Sequence, residues 1–218
     1  MTPEQIKKIQ FDGIDWLGNP LKVDGLMGPK TEWWHAISQL SEQRQDVLKL
    51  ALGYHTMGMG EDRNNSIAND GTFVDMLLKP VRLKHQPWCL AFCSHVYWKC
   101  TIHWPAYVTG AKQLVDLVKA GKQAVFVDVP LPGDIEVFLY PLEKGNTHQP
   151  GHGRIVTGYD PKTGETAGVD GNVGDAVRVG RRRNRPERYF VRAKNLGDSC
   201  VEVPFPKNLM YLDNLVTR

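Results

Sequence analysis

The tract Gln86-Pro87-Trp88-Cys89-Leu90-Ala91-Phe92-Cys93 places a thiol where it could react. Gln86 precedes a proline and is pushed toward extended backbone. From Trp88 onward, Cys89, Phe92, Cys93, Val96 and Cys100 recur at helical spacing near one face. Cys89 therefore falls in the first turn of a helix, where unpaired N–H groups and the positive end of the helix dipole favour an anion. A thiol held there tends toward thiolate, the form that attacks a carbonyl carbon. Cys93 and Cys100, further along the same face, read as packing residues, because free cysteine is among the most buried residue types.

Such a nucleophile needs a base within hydrogen-bond reach, and the base needs an orienting group. Of the seven histidines, His95 and His103 lie too near Cys89 along the chain to face it. His35, His55 and His85 stand in helices or loops without a partner motif. His148 and His152 flank the turn Gln149-Pro150-Gly151-His152-Gly153, which opens a β-rich run at 154–157. His152 is the better base, since a strand fixes it while His148 lies in the loop. Asp160-Pro161-Lys162-Thr163-Gly164 is a turn by composition. Pairing 154–159 with 166–171 as a hairpin returns Asp170 and Asn172 beside His152, and their spacing of two puts both on one face. Either accepts the imidazole Nδ1–H and fixes its tautomer; the spacing does not choose between them.

These residues need a helix laid across a sheet, and the chain reads that way. Thr2-Pro3-Glu4-Gln5 offers a capping box with proline at the first helical position. Ile6, Ile9, Ile14 and Leu17 are roughly helical in spacing until Gly18-Asn19-Pro20 ends the run, with Gly13 as an imperfection. After a turn-rich loop at 23–31, Thr31 is a good N-cap for a helix at 32–40. Ser41 caps another helix to residue 52. A Gly/Asn-rich loop at 58–71 carries Glu61, Asp62, Asn64, Asn65, Asn69 and Asp70. Those oxygens make calcium worth testing, but Ile67 and Phe73 occupy the glycine and bidentate-Glu positions of an EF-hand loop. The loop is read as bordering a cleft, with a short apolar element at 73–78 behind it. A short helix is expected at 111–120. Strands are expected at 124–127, 135–140, 154–157, 176–179 and 188–191. Helices first and antiparallel strands afterwards give an α+β domain.

Bulk properties narrow the function classes. The net charge of +3 is too mild to imply nucleic acid. The tract Arg181-Arg182-Arg183-Asn184-Arg185 is read as a solvated hairpin tip, the functional alternative being attraction to anionic wall or outer-membrane polymers. A nucleic-acid site would want interleaved stacking aromatics, and none are present in the tract. No run of about 18 apolar residues is present, so no membrane span is expected. The start, Met1-Thr2-Pro3-Glu4-Gln5-Ile6-Lys7-Lys8, lacks the apolar run of a secretory signal. Of the four cysteines, three share one helix face, where i, i+4 neighbours seldom meet disulfide geometry, so reduced thiols are expected. Their spacing also departs from paired zinc ligands, so no metal is expected.

Four motifs in order carry a resemblance. Pro87-Trp88-Cys89-x-x-Phe92, Pro132-Gly133-Asp134-Ile135, Gly151-His152-x-x-Ile155-Val156-x-Gly158 and Asp170-Gly171-Asn172 resemble the CHAP family, the cysteine, histidine-dependent amidohydrolases/peptidases. Those are papain-like enzymes that cut peptidoglycan. Gly60-Glu61 and Asn64-Asn65 fit a phage and bacterial subfamily, and the likeness spans residues 50–192. It implies a cysteine-bearing helix packed on an antiparallel sheet, Cys89 as nucleophile, His152 as base, and an acidic or amide orienter. The family commonly has Glu-x-Asn where this chain has Asp170-Gly171-Asn172. The orienting role thus falls to Asp170 or Asn172.

Upstream, Asp24-Gly25-x-x-Gly28-x-x-Thr31 resembles the signature of a small peptidoglycan-binding domain. Asp24, Gly25, Gly28 and Thr31 are its candidate wall-binding residues. The expected organisation is a helical unit at 1–45 and a CHAP-like catalytic domain at 46–218. Its oxyanion would be held by the Cys89 N–H and Gln86, with Trp88 also at the substrate. No cofactor is needed, the partner is peptidoglycan, and a monomer is expected. Without a signal peptide, such a protein would be made in the host cytoplasm and act on the wall after release or delivery, as a phage endolysin does. The rivals are a catalytically silent wall-binding or virion protein and a cysteine peptidase acting on proteins.

Overall fold

The computed structural model describes residues 1–62, 67–104, 106–142, 149–184, 187–197, 199 and 201–212. Asn64, Asn65, His148, Arg185 and Cys200 lie outside the described residues. Among the described residues six α-helices precede six strands: α1 Pro3–Phe11, α2 Pro29–Ile37, α3 Glu42–Thr56, α4 Thr72–Leu78, α5 Cys89–Lys99, α6 Ala111–Lys119, then β1 Ala124–Val127, β2 Ile135–Leu139, β3 Gly151–Asp160, β4 Glu165–Val173, β5 Ala176–Arg182 and β6 Arg188–Ala193. The strands form one antiparallel sheet in the order β1-β6-β2-β3-β4-β5. This is an α+β fold. Among the described residues no helix is long and apolar enough to cross a membrane.

The N-terminal segment follows its local signals with two departures. Thr2 closes the capping box with Gln5, but α1 stops at Phe11 rather than running to Leu17. The Gly13 N–H bonds back to the Gln10 carbonyl at 3.2 Å, and a Cβ on Gly13 would lie 2.6 Å from Leu21 and 2.7 Å from Trp34. Close packing, not helix, therefore dictates the glycine. Helix α2 begins two residues before Thr31, with Gly28 as N-cap and Pro29 at N1, where proline's fixed φ suits the first turn. Ser41 caps α3 as expected, and that helix runs on to Thr56.

The boundary expected at residue 45 falls inside α3, and the packing runs across it. Trp16, Trp33, Trp34 and Ile37 belong to the same buried apolar cluster as α5 and the sheet. The Trp33 indole N–H donates to the Thr157 carbonyl of β3 at 3.2 Å. Arg44 is fully buried; its Nη1 donates to Pro132 O at 2.7 Å and Asp134 Oδ1 at 3.0 Å, and its Nη2 to Gly197 O at 2.7 Å. Arg192 of β6 holds the other Asp134 oxygen at 2.8 Å, and the Tyr97 hydroxyl of α5 donates to Gly133 O at 2.5 Å. Pro132-Gly133-Asp134 is thus a junction that ties α3, α5 and β6 to the start of β2. Gly133 takes φ +93° there, a backbone state that favours glycine.

Candidate active site

Cys89 is the first residue of α5, with Trp88 as its N-cap and no side chain capping the free N–H groups. The first intrahelical bond, Phe92 N–H to Trp88 O, is 2.8 Å, so the Cys89, Leu90 and Ala91 amides are left facing the helix start. Two glycines seat this turn on the sheet. A Cβ on Gly153 of β3 would enter the Leu90 side chain, and one on Gly171 of β4 would lie 2.7 Å from Phe92 Cβ and 3.0 Å from Trp88. The close approach puts Cys89 beside His152, within reach of the imidazole's influence on the thiol.

The expected hairpin is present, with Arg154 opposite Asp170 and Ile155 opposite Val169. His152 Nε2 lies 2.8 Å from Asp170 Oδ1. That assignment corrects the expected tautomer: Asp170 takes Nε2, on the far side of the ring, and Nδ1 is left for Cys89. Asn172 does not share the role. A register shift between Asp170 and Val173 and φ +60° at Asn172 turn its side chain away. Its Nδ2 donates to Asn69 Oδ1 at 3.0 Å.

Burial by itself would raise the Cys89 thiol. The charge and hydrogen bond of His152, with the N–H groups of Gly153 and Leu90, outweigh it and hold the thiol below its usual range. For His152, burial lowers and Cys89 and Asp170 raise, with a net upward direction. Both directions favour a thiolate–imidazolium pair. Burial also pushes Asp170 up, but Arg154, Arg182 and His152 bring its carboxyl well below the usual carboxylate range. The neighbouring Cys93 thiol is pushed well up by burial, and Cys100 to about 11 by the same cause. Both are therefore ordinary packed thiols, as expected from the helix face.

Sequence reasoning missed the charged layer beneath the histidine. Arg182 donates to Asp170 Oδ1 through Nε at 3.0 Å and Nη2 at 2.8 Å. Arg154 Nε lies 3.0 Å from Asp170 Oδ2, and its Nη2 donates to Gly180 O at 2.5 Å. Glu136 of β2 approaches Arg154 at 4.0 Å and Arg188 at 3.5 Å, and accepts from Thr166 Oγ1 at 2.7 Å. Arg182 is 3% exposed, so the arginine tract is not a solvated tip there. Arg183 stacks on Tyr211 at 4.2 Å. The signal that could have found this layer is Gly168 of β4, opposite Val156 of β3. A Cβ on Gly168 would lie 2.5 Å from Arg154 Nε; the glycine leaves room for that side chain.

Trp88, expected at the substrate, is fully buried. Its indole N–H donates to Glu61 Oε1 at 3.1 Å, and Phe73 of α4 meets its ring edge-on at 5.8 Å. Glu61 Oε2 accepts the Asn69 N–H at 2.8 Å, so Asn172, Asn69, Glu61 and Trp88 form one chain of hydrogen bonds bracing the start of α5. Both Glu61 oxygens are taken by protein donors. Among the described residues no group of three or more His, Cys, Asp or Glu side chains is placed to hold a metal ion. Gln86 is exposed on the approach to Cys89.

The expected wall-binding residues build their own loop. Gln10 Nε2 donates to Asp24 Oδ1 at 3.0 Å, Leu26 O at 2.9 Å and Thr31 Oγ1 at 3.3 Å, and Gln10 Oε1 accepts the Gly25 N–H at 2.9 Å. Gly25 has φ +76° and Gly28 caps α2. Each of the four thus has a fold-building task.

A depression of about 830 Å³ lies beside the head of β3, lined by Thr109, Gly110, Lys112, Gln113, Leu142 and Gln149. Ala111 at its edge packs against Gly151, the residue before His152. Comparison with protein-family models, curated protein sequences and solved structures found no match.

Proposed function

We propose that this chain is a peptidoglycan hydrolase of the CHAP kind, papain-like in arrangement, cutting an amide bond of the wall peptide through a Cys89 thioester. The observation that carries the reading is His152 held at Nε2 by Asp170 Oδ1 at 2.8 Å, with the Cys89 thiol beside it at an uncapped helix start. The substrate class comes from the resemblance of the four motifs around those residues.

In this mechanism the Cys89 thiolate attacks the amide carbonyl while the His152 imidazolium stands beside it. The Cys89 N–H, with the exposed Gln86 side chain, receives the oxyanion. His152 Nδ1–H then protonates the leaving amine, and the neutral ring activates the water that hydrolyses the thioester. Asp170 keeps the ring in register throughout by accepting from Nε2. A protein of this kind acts on the wall after release or delivery from the cell that made it.

The test is digestion of purified sacculi. New amine ends and soluble muropeptides are expected from the wild type and from neither Cys89→Ala nor His152→Ala. Digestion of casein with intact sacculi would reject the wall substrate in favour of a protein peptidase. An inert wild type that still sediments with sacculi would reject catalysis.

A further inference from the structure

We propose that Arg154 and Arg182 set the working pH range of the Cys89–His152 pair, by neutralising Asp170 so that it orients the imidazole as an acceptor without imposing a full negative charge. The inference rests on reading Cys89 and His152 as nucleophile and base, and it assigns two positioning residues to that site.

The geometry that carries it is the crowding on one carboxylate. Asp170 is fully buried. Its Oδ1 receives His152 Nε2 at 2.8 Å together with Arg182 Nε at 3.0 Å and Nη2 at 2.8 Å, while Arg154 Nε stands 3.0 Å from Oδ2. A lone carboxylate needs only one donor to orient a histidine. Here two guanidinium groups share it, and Arg154 reaches it across Gly168, where a Cβ would lie 2.5 Å from its Nε. Placing two arginines out of water is costly unless each is paired, so the layer is built around this contact.

The charges facing the pair can be followed element by element. From β2 comes Glu136, from β3 Arg154, from β4 Asp170, from β5 Arg182, and from β6 Arg188 at the margin of the layer. Helix α5 adds Cys93, whose thiol is pushed well up and stays neutral, and Tyr140 lies near Arg182. Glu136 and Asp170 are balanced by Arg154 and Arg182. The catalytic pair therefore exchanges its proton beside a layer with no large excess charge. Removing Arg182 leaves an uncompensated negative charge next to His152, which favours protons on both members of the pair. Removing the charge of Asp170 has the opposite effect.

The experiment is the rate of Cys89 alkylation by iodoacetamide against pH, which needs no substrate. Folding is checked by near-ultraviolet circular dichroism. Arg182→Gln is expected to move both limbs of the profile to higher pH by about one to two units. Asp170→Asn is expected to move them to lower pH. The double variant is expected to return close to wild type, and Arg182→Lys to stay there. Should Arg182→Gln not fold, Asp170→Asn and Arg182→Lys decide the matter alone. Limbs that stay within about a third of a unit of wild type while the plateau rate falls would overturn the proposal, since that is what a merely structural role does. A wild-type profile with a single ordinary thiol titration would instead overturn the underlying assignment of Cys89 and His152. Failure to digest walls, with the limbs moving as stated, would remove the substrate reading and leave this one standing.

Discussion

Gly171→Ala adds one methyl group at the seat of the nucleophile. The new carbon would stand 2.7 Å from Phe92 Cβ and 3.0 Å from Trp88 Cζ3. Phe92 Cβ is attached directly to the α5 backbone and cannot swing aside as a side-chain tip can. Restoring an ordinary 3.4 Å contact requires the first turn of α5 to recede from β4 by about 0.7 Å. Overpacking of this kind costs about 1–3 kcal/mol, a melting shift of roughly 2–12 °C for a chain of this size. The effect on chemistry is larger, because a misplacement near 1 Å costs on the order of 100-fold in rate. Cys89 alkylation at neutral pH, measured alongside the thermal melt, is expected to slow by roughly 10- to 100-fold in a protein that is still folded. A melt that shifts as stated while the alkylation rate stays within about twofold of wild type would refute the reasoning. The close approach of α5 to β4 would then not be what presents the thiol to His152.

Further outcomes follow from the same contacts. Trp33→Phe removes the donor to the buried Thr157 carbonyl and is expected to cost about 1–3 kcal/mol in denaturant unfolding; an unchanged midpoint would make residues 1–45 energetically separate from the sheet. Because Asp170 is held below the ordinary carboxylate range, its contribution to stability is complete above an ordinary carboxylate pKa of about 4 and is lost as pH falls below that. Asp170→Asn should therefore flatten the acid side of the melting-temperature profile, and an equally steep loss in the variant would count against the buried network. Peptide mapping after brief alkylation at pH 7 is expected to find the label on Cys89 before Cys93 or Cys100, since burial raises both of the latter; equal labelling would remove the distinction drawn between the three thiols.

What could be read in advance depended on how local the cause was. Pro87 and the run from Trp88 fix where α5 begins, so the position of Cys89 at its first turn was legible. The turn at 160–164 and the alternation on either side gave the β3–β4 pairing, and with it Asp170 near His152. The same logic could not separate Asp170 from Asn172. The divergence comes from a bulge and a positive φ at Asn172, and from Asn69, a partner on a distant loop. Three consecutive arginines look solvated, whereas the burial of Arg182 depends on Asp170, a carboxylate in the neighbouring strand. The signature at Asp24 to Thr31 was visible, but its side chains are consumed by Gln10, whose own role no spacing announced. Trp88, adjacent to the nucleophile, was placed at the substrate by proximity; its indole N–H points instead at Glu61.

The most direct measurement is the pH dependence of Cys89 alkylation in the wild type and in His152→Ala. The account predicts a wild-type rate that holds up well below the ordinary thiol pKa of about 8.5, and a variant whose rate falls away with that ordinary value. Identical profiles in the two proteins would contradict it, because the thiolate would then owe nothing to the imidazole beside it.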